Sequence, residues 1–287
     1  MIAILKREIK SYFSTPIGCL YMGFFLLTAG IFFFFSNLFM MSSRFTGFLG
    51  SILFVYLFAI PLLTMRLFSE EKRQKTDQLL LTCPVSIPQI VVGKFLAAFS
   101  VYLLTLVVTL MYVVVIAIFG DLAVWETFGS YIGFIFLGAS YISVGVFISA
   151  GTENQLTAAL ITFFSLMMIW LIDPLSRALP TDMTSGIVAA SVLAVGLSVF
   201  IYFSTRNFYI TAGALLVGAI AITALYFFNE SLFTGFVGKF LGWFSLNQRY
   251  ENFSLGILRV DSLVYYLSFC GLFLFLTIRL IEKRRWN

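Results

Sequence analysis

The chain has 287 residues, of which 61% are hydrophobic, 18% aromatic and only 11% charged, with a net charge of +5. Soluble domains carry about 25% charged residues, so a core surrounded by water is excluded and lipid is the solvent for most of this chain. There is no histidine, and the cysteines Cys19, Cys83 and Cys270 are far apart; the commonest general base and pH switch is therefore missing, and neither a metal spacing nor a disulfide framework is expected.

The first predicted element covers residues 1–14. Ile2, Leu5, Ile9 and Phe13 share one helical face and Lys6, Arg7 and Lys10 lie beside it, the pattern of an amphipathic helix in the membrane interface. The apolar run after it is too long for a signal peptide and no small-residue cleavage site follows, so the segment is expected to be retained. Eight apolar segments are long enough to cross roughly 30 Å of hydrocarbon. They fall near residues 17–41, 48–65, 95–119, 128–150, 156–172, 187–204, 208–228 and 263–280. A six-span arrangement, with the sixth and seventh as a re-entrant pair, is the alternative.

Between the second and third spans, residues 66–94 form a long, charge-dense interruption. From Glu70 to Leu81 there is no Pro or Gly, and the composition predicts a helix with a polar side and an apolar end at Leu79, Leu80 and Leu81. Pro84 stops it. Ser86 caps the next helix, with Pro88 in its first turn, and Lys94 is expected to snorkel to the headgroups. The other loops are short except for residues 229–262. There Phe233, Phe236, Val237, Phe240, Leu241 and Phe244 recur at helical spacing around Lys239 and Trp243. That predicts an interfacial or re-entrant helix, which either caps an exit pathway or rests on the outer leaflet.

With the N-terminus inside, thirteen of the 18 basic residues fall on cytoplasmic segments. This bias places both termini inside and requires an even number of spans. The positive charge is thus a topology signal, and no soluble basic face for nucleic acid exists. No predicted span carries a charge at its middle, which argues against an ion-coupled transporter. Gly133, Gly138, Gly145, Gly213 and Gly218 are expected to let helices pack closely.

The residues of the central loop are those of a known pattern. Arg66, Phe68, Glu71, Lys72, the run from Lys75 through Thr82, Pro84-Val85-Ser86 and Gly93-Lys94-Phe95 resemble the permease subunits of type-2 ATP-binding-cassette exporters, with the gliding-motility-type permeases as the nearest group. The tail is similar too, in Tyr250-Glu251-Asn252-Phe253, Gly256, Asp261, Tyr265-Tyr266 and residues 282–286. Two positions depart from the family pattern, which often has Gly at Lys75 and Glu at Gln78. The resemblance implies one transmembrane permease domain over residues 1–287. Residues 1–14 would be its connecting helix and residues 66–94 its cytoplasmic coupling loop. It further implies that Glu70, Glu71, Lys72, Arg73, Thr76, Asp77 and Gln78 meet a separate ATPase, with Leu79, Leu80 and Pro84 holding the coupling helix to the span ends.

The chain has no phosphate loop, since Gly93-Lys94-Phe95 lacks both the upstream Gly and the hydroxyl. ATP and Mg would therefore belong to the partner ATPase, and no cofactor or catalytic residue is expected in this chain. The resemblance implies cytoplasmic ATPase subunits and a second identical or related permease as partners, in a bacterial cytoplasmic membrane, with an accessory protein on the outer side as a further candidate partner. Two alternatives stay open: an ATP-independent channel or secondary transporter, and a subunit that passes force or a signal without transport. An intramembrane enzyme is disfavoured by the lack of histidine, paired intramembrane carboxylates and an Asp-rich metal motif.

Overall fold

The computed structural model describes residues 1–76, 86–179, 183–206 and 235–286, with residues 209, 211, 213, 215–217 and 220. All regular structure among them is helical. Residues fall into two units, Met1–Met168 with Leu246–Asn287, and Ile169–Ser245.

In the first unit α1 (Ile2–Ser14) turns at Thr15, whose extended backbone lets Pro16 open α2 (Pro16–Phe33), the helix position where a missing N–H costs nothing. A π-helical segment, Phe34–Phe39, continues α2. The second predicted span is broken. It forms α3 (Phe45–Ile52) and α4 (Tyr56–Thr64), bent by 54°. Between them the backbone closes in tighter i→i+3 bonds, with Val55 N–H donating to Ile52 O at 2.8 Å and Phe58 N–H to Val55 O at 3.1 Å.

A short helix, α5 (Ser69–Arg73), precedes α6 (Ile87–Phe119). As expected, Ser86 is the N-cap of α6, Pro88 lies in its first turn, and the Ser86 backbone N–H donates to Gln89 Oε1 at 3.4 Å. The 33 residues of α6 reach about 50 Å, well beyond the hydrocarbon thickness.

The remaining long helices are α7 (Val124–Gly151), α8 (Gln155–Ala178), α9 (Met183–Thr205) and, after two short helices, α12 (Val260–Trp286). Among the described residues five helices are long and apolar enough to cross a membrane, or six if the bent α3–α4 pair is one span. The helix α9 covers the sixth predicted span, while most of the seventh, 208–228, lies outside the described residues.

The most buried span is α7, and its glycines set its neighbours. A Cβ at Gly145 would lie 2.2 Å from Thr64 Oγ1 of α4, and one at Gly138 would lie 2.4 Å from the Tyr102 ring of α6. Gly133 similarly admits Phe253. These three glycines pack closely as expected. At Gly213 no described residue lies within 4 Å of a Cβ built there, and Gly218 is outside the described residues.

Within residues 229–262 one helix covers most of the expected stretch 233–244, and a second helix follows it. Phe233 lies outside the described residues, and the stretch from Phe236 to Ser254 forms two helices, α10 (Phe236–Phe244) and α11 (Leu246–Ser254). In the first unit α11 packs along α7 and α12, burying Leu246, Asn247, Tyr250 and Phe253. The Tyr141 hydroxyl donates to Asn247 Oδ1 at 3.0 Å and the Tyr266 hydroxyl to Leu246 O at 2.7 Å. Tyr141 is about 25 Å along α7 from its start, so α11 lies against the middle of α7. Its polar composition is tolerated there because Tyr141 and Tyr266 bond to it and the Arg249 guanidinium lies 3.9 Å from the Tyr265 ring centre.

In the second unit α10 is entered through Gly235 at φ 66. A Cβ at Gly238 of α10 would lie 2.7 Å from Ser176 O.

Candidate functional site: a buried ion-pair junction

The charged residues that set this chain apart converge where α1, α5 and the start of α6 meet. The face of α1 that docks is Ile4, Glu8, Ser11 and Tyr12. Tyr12 is 2% exposed, whereas Ile2 and Phe13 of the expected apolar stripe are 65% and 47% exposed. The two ends of the stripe are thus exposed, while Leu5 and Ile9 between them are half-buried. Gly93 on α6 admits this helix, since a Cβ there would lie 3.3 Å from Ile4 Cγ2.

Lys94 lies two turns into α6 and is buried, 1% exposed. This corrects the expectation that it snorkels. Its Nζ lies 3.2 Å from Glu8 Oε1 and 3.0 Å from Glu71 Oε2, and it also donates to Leu67 O. All three ammonium protons thus have acceptors. Arg7 closes the group, with Nη2 at 2.8 Å from Glu8 Oε1 and 2.6 Å from Glu71 Oε1. Two carboxylates meet two cations, which is what lets charge sit out of water. Burial alone would push the Glu8 carboxyl up, but Lys94 and Arg7 overrule it and hold it below its ordinary value. The Arg7 guanidinium moves the other way: burial would lower it, and the two carboxylates raise it.

A second clamp lies beside the first. Arg66, just before α5, donates from Nη1 to Thr15 Oγ1 at 2.6 Å and from Nη2 to Ser11 Oγ at 2.8 Å, and pairs through Nε with Glu70 Oε2 at 3.2 Å. The Tyr12 hydroxyl donates to Leu63 O at 2.7 Å, and burial pushes that phenol up. From α7, Ser149 Oγ accepts the Phe68 N–H at 3.1 Å, and Ala150 O accepts from Lys72 Nζ. The helix α5 is thereby tied to α1, α6 and α7.

The expected helix from Glu70 to Leu81 ends at Arg73. Thr76 N–H donates to Glu71 O at 2.9 Å and Lys75 N–H to Lys72 O at 3.0 Å, with Lys75 at φ 56. This is the paired-bond stop that glycine usually occupies.

The expected site residues therefore divide. Glu71, Lys72 and much of Glu70 turn inward to Lys94, Ala150 O and Arg66. Arg73 and Thr76 are exposed, together with Gln74 and Lys75. Asp77, Gln78, Leu79, Leu80 and Pro84 lie outside the described residues. Of the interfacial set, Lys6 and Lys10 are exposed and Arg7 joins the ion pairs. Sequence reasoning missed Glu8, Ser11 and Tyr12. The available signal was a carboxylate at Glu8 between Ile4 and Tyr12 at a spacing of four, inside what otherwise reads as a docking stripe.

Among curated proteins none matches the chain. Residues 35–172 match the family model described as ABC-2 family transporter protein. The matched stretch is slightly under half of the chain and contains α3 to α7, including the Arg66, Glu71 and Lys94 positions of the junction. With several apolar helices long enough to span a membrane, this match supports an ABC-2 type permease, the membrane component of an ABC transporter.

Proposed function

We propose that the chain is the permease subunit of an ABC exporter of the gliding-motility type, and that it takes motion from a separate ATPase through residues 66–94. The observation that carries this reading is the clamped α5. A helix that receives force must be stiff relative to the spans it moves. Here α5 is bound to α1, α6 and α7 by ion pairs and hydrogen bonds, while Arg73, Gln74, Lys75 and Thr76 stay exposed at its free end. ATP and Mg belong to the partner subunit. Eight spans, both termini inside and a second permease copy complete the arrangement, in which closure of two ATPases tilts the spans as rigid bodies. Asp77, Gln78, Leu79, Leu80 and Pro84 extend the ATPase contact. The test is co-purification of the tagged chain in mild detergent with identification of its partners. An ABC ATPase at one copy per permease is expected; a chain recovered without any ATPase overturns the proposal.

A further inference from the structure

The far ends of α2 and α6 enclose a pocket of about 300 Å³ lined by Asn37, Leu38, Ser42, Ser43, Ile116 and Phe119 among others, at the lower end of ligand-site volumes. Two backbone features shape it. Asn37 lies within the π-helical segment Phe34–Phe39, and π-turns concentrate at functional sites. Met41 closes the segment at φ 49, a left-handed conformation that a non-glycine residue adopts at a cost.

Asn37 is 4% exposed. Its Nδ2 donates to Ser42 O at 2.8 Å and to Arg44 O at 3.3 Å. These two donations fix the amide orientation and leave Oδ1 as a pure acceptor. Among the described residues no group donates to that buried oxygen, and a buried acceptor is costly to leave unpaired. The rim is apolar: Leu38, Phe119 and Met41 are 50%, 84% and 93% exposed. A polar floor inside an exposed apolar rim, at the ends of two spans, matches the depth at which lipid headgroups meet hydrocarbon.

We propose that this pocket binds a phospholipid whose headgroup carries a hydrogen-bond donor. A small shift of the exposed Met41 rim opens the buried Oδ1 to the donor, and the acyl chains follow Leu38 and Phe119. Phosphatidylethanolamine has such a donor in its ammonium group, and phosphatidylcholine has none. The test uses the full chain, delipidated in detergent, offered equal amounts of the two lipids with identical acyl chains, and counted by native mass spectrometry. One hydrogen bond predicts about threefold to tenfold preferential retention of phosphatidylethanolamine. Asn37→Leu removes the acceptor and should abolish the preference. Val115→Phe narrows the pocket from α6 without touching the Asn37 bonds and should abolish it too, so the variant arm survives if Asn37→Leu does not fold. Equal retention of both lipids by the wild type overturns the proposal, as does a folded Val115→Phe chain that keeps the full preference.

Discussion

Lys94 Nζ lies 3.0 Å from Glu71 Oε2 with the lysine buried. This one pair joins α6 to α5, while Glu8 ties α6 and Arg7 ties α5 to α1. Glu71 thus anchors α5 from behind, leaving Arg73 and its neighbours to make contacts outside the chain.

Removing one member of a buried ionic group strands its partners. Lys94→Met leaves Glu8 and Glu71 facing each other with only Arg7 between them, and should cost about 3–5 kcal/mol. The double variant Lys94→Met, Glu8→Gln should recover most of that loss, because Arg7 and Glu71 then remain as a neutral pair. Thermal unfolding in detergent measures both. Equal damage in the two would show that the pairing is not what holds the junction.

The junction should respond to acid in one direction. The Glu8 carboxyl is held below its ordinary value of 4.5 in the folded chain. Its contribution is therefore fully present above that value and is lost as pH falls through the lowered one. The melting temperature should be flat from about pH 5 to 7 and fall below about pH 4.5, and Glu8→Gln should make the acid branch shallower. A wild-type decline that Glu8→Gln leaves unaltered would assign it to other carboxylates.

Lys75 holds a left-handed conformation that costs a side-chain-bearing residue roughly 1–2 kcal/mol. Lys75→Gly relieves that strain and loosens the unfolded chain, so a net gain of up to about 1 kcal/mol is expected. Slower amide exchange at Thr76, whose N–H bonds Glu71 O, is the local readout.

The closest helix approach should be the least tolerant of bulk. A methyl at Gly145 would meet Thr64 Oγ1 at 2.2 Å, so Gly145→Ala should cost about 1–3 kcal/mol. Gly196, with no described residue within 4 Å of a Cβ, should accept alanine at no cost in melting temperature.

Much of the helical layout was legible because length and unbroken hydrophobicity mark a span, as in residues 87–119, and because Pro16 and Ser86 with Pro88 mark helix starts by local chemistry. The junction was not. Glu8 and Lys94 are 86 residues apart, and only the fold reveals that their charges neutralise each other. Lys94 read as a snorkelling cation because a lone lysine near a span end usually is one. The break between Ile52 and Tyr56 has no proline or glycine to announce it. The helix α11 read as an outer segment because Asn247, Gln248, Arg249 and Glu251 are polar, and the tyrosine hydroxyls that let it enter the bundle come from α7 and α12.

Whether an ATPase reads the exposed end of α5 is decided by the ATP hydrolysis rate of the purified permease–ATPase complex, with Arg73→Glu compared against wild type at matched yield and melting temperature. Reversing a charge at a complementary contact is expected to lower permease-dependent stimulation by about tenfold or more, while the ion pairs of Lys94 leave the permease folded. Full stimulation by a correctly folded Arg73→Glu permease would show that the ATPase does not couple through this end of α5.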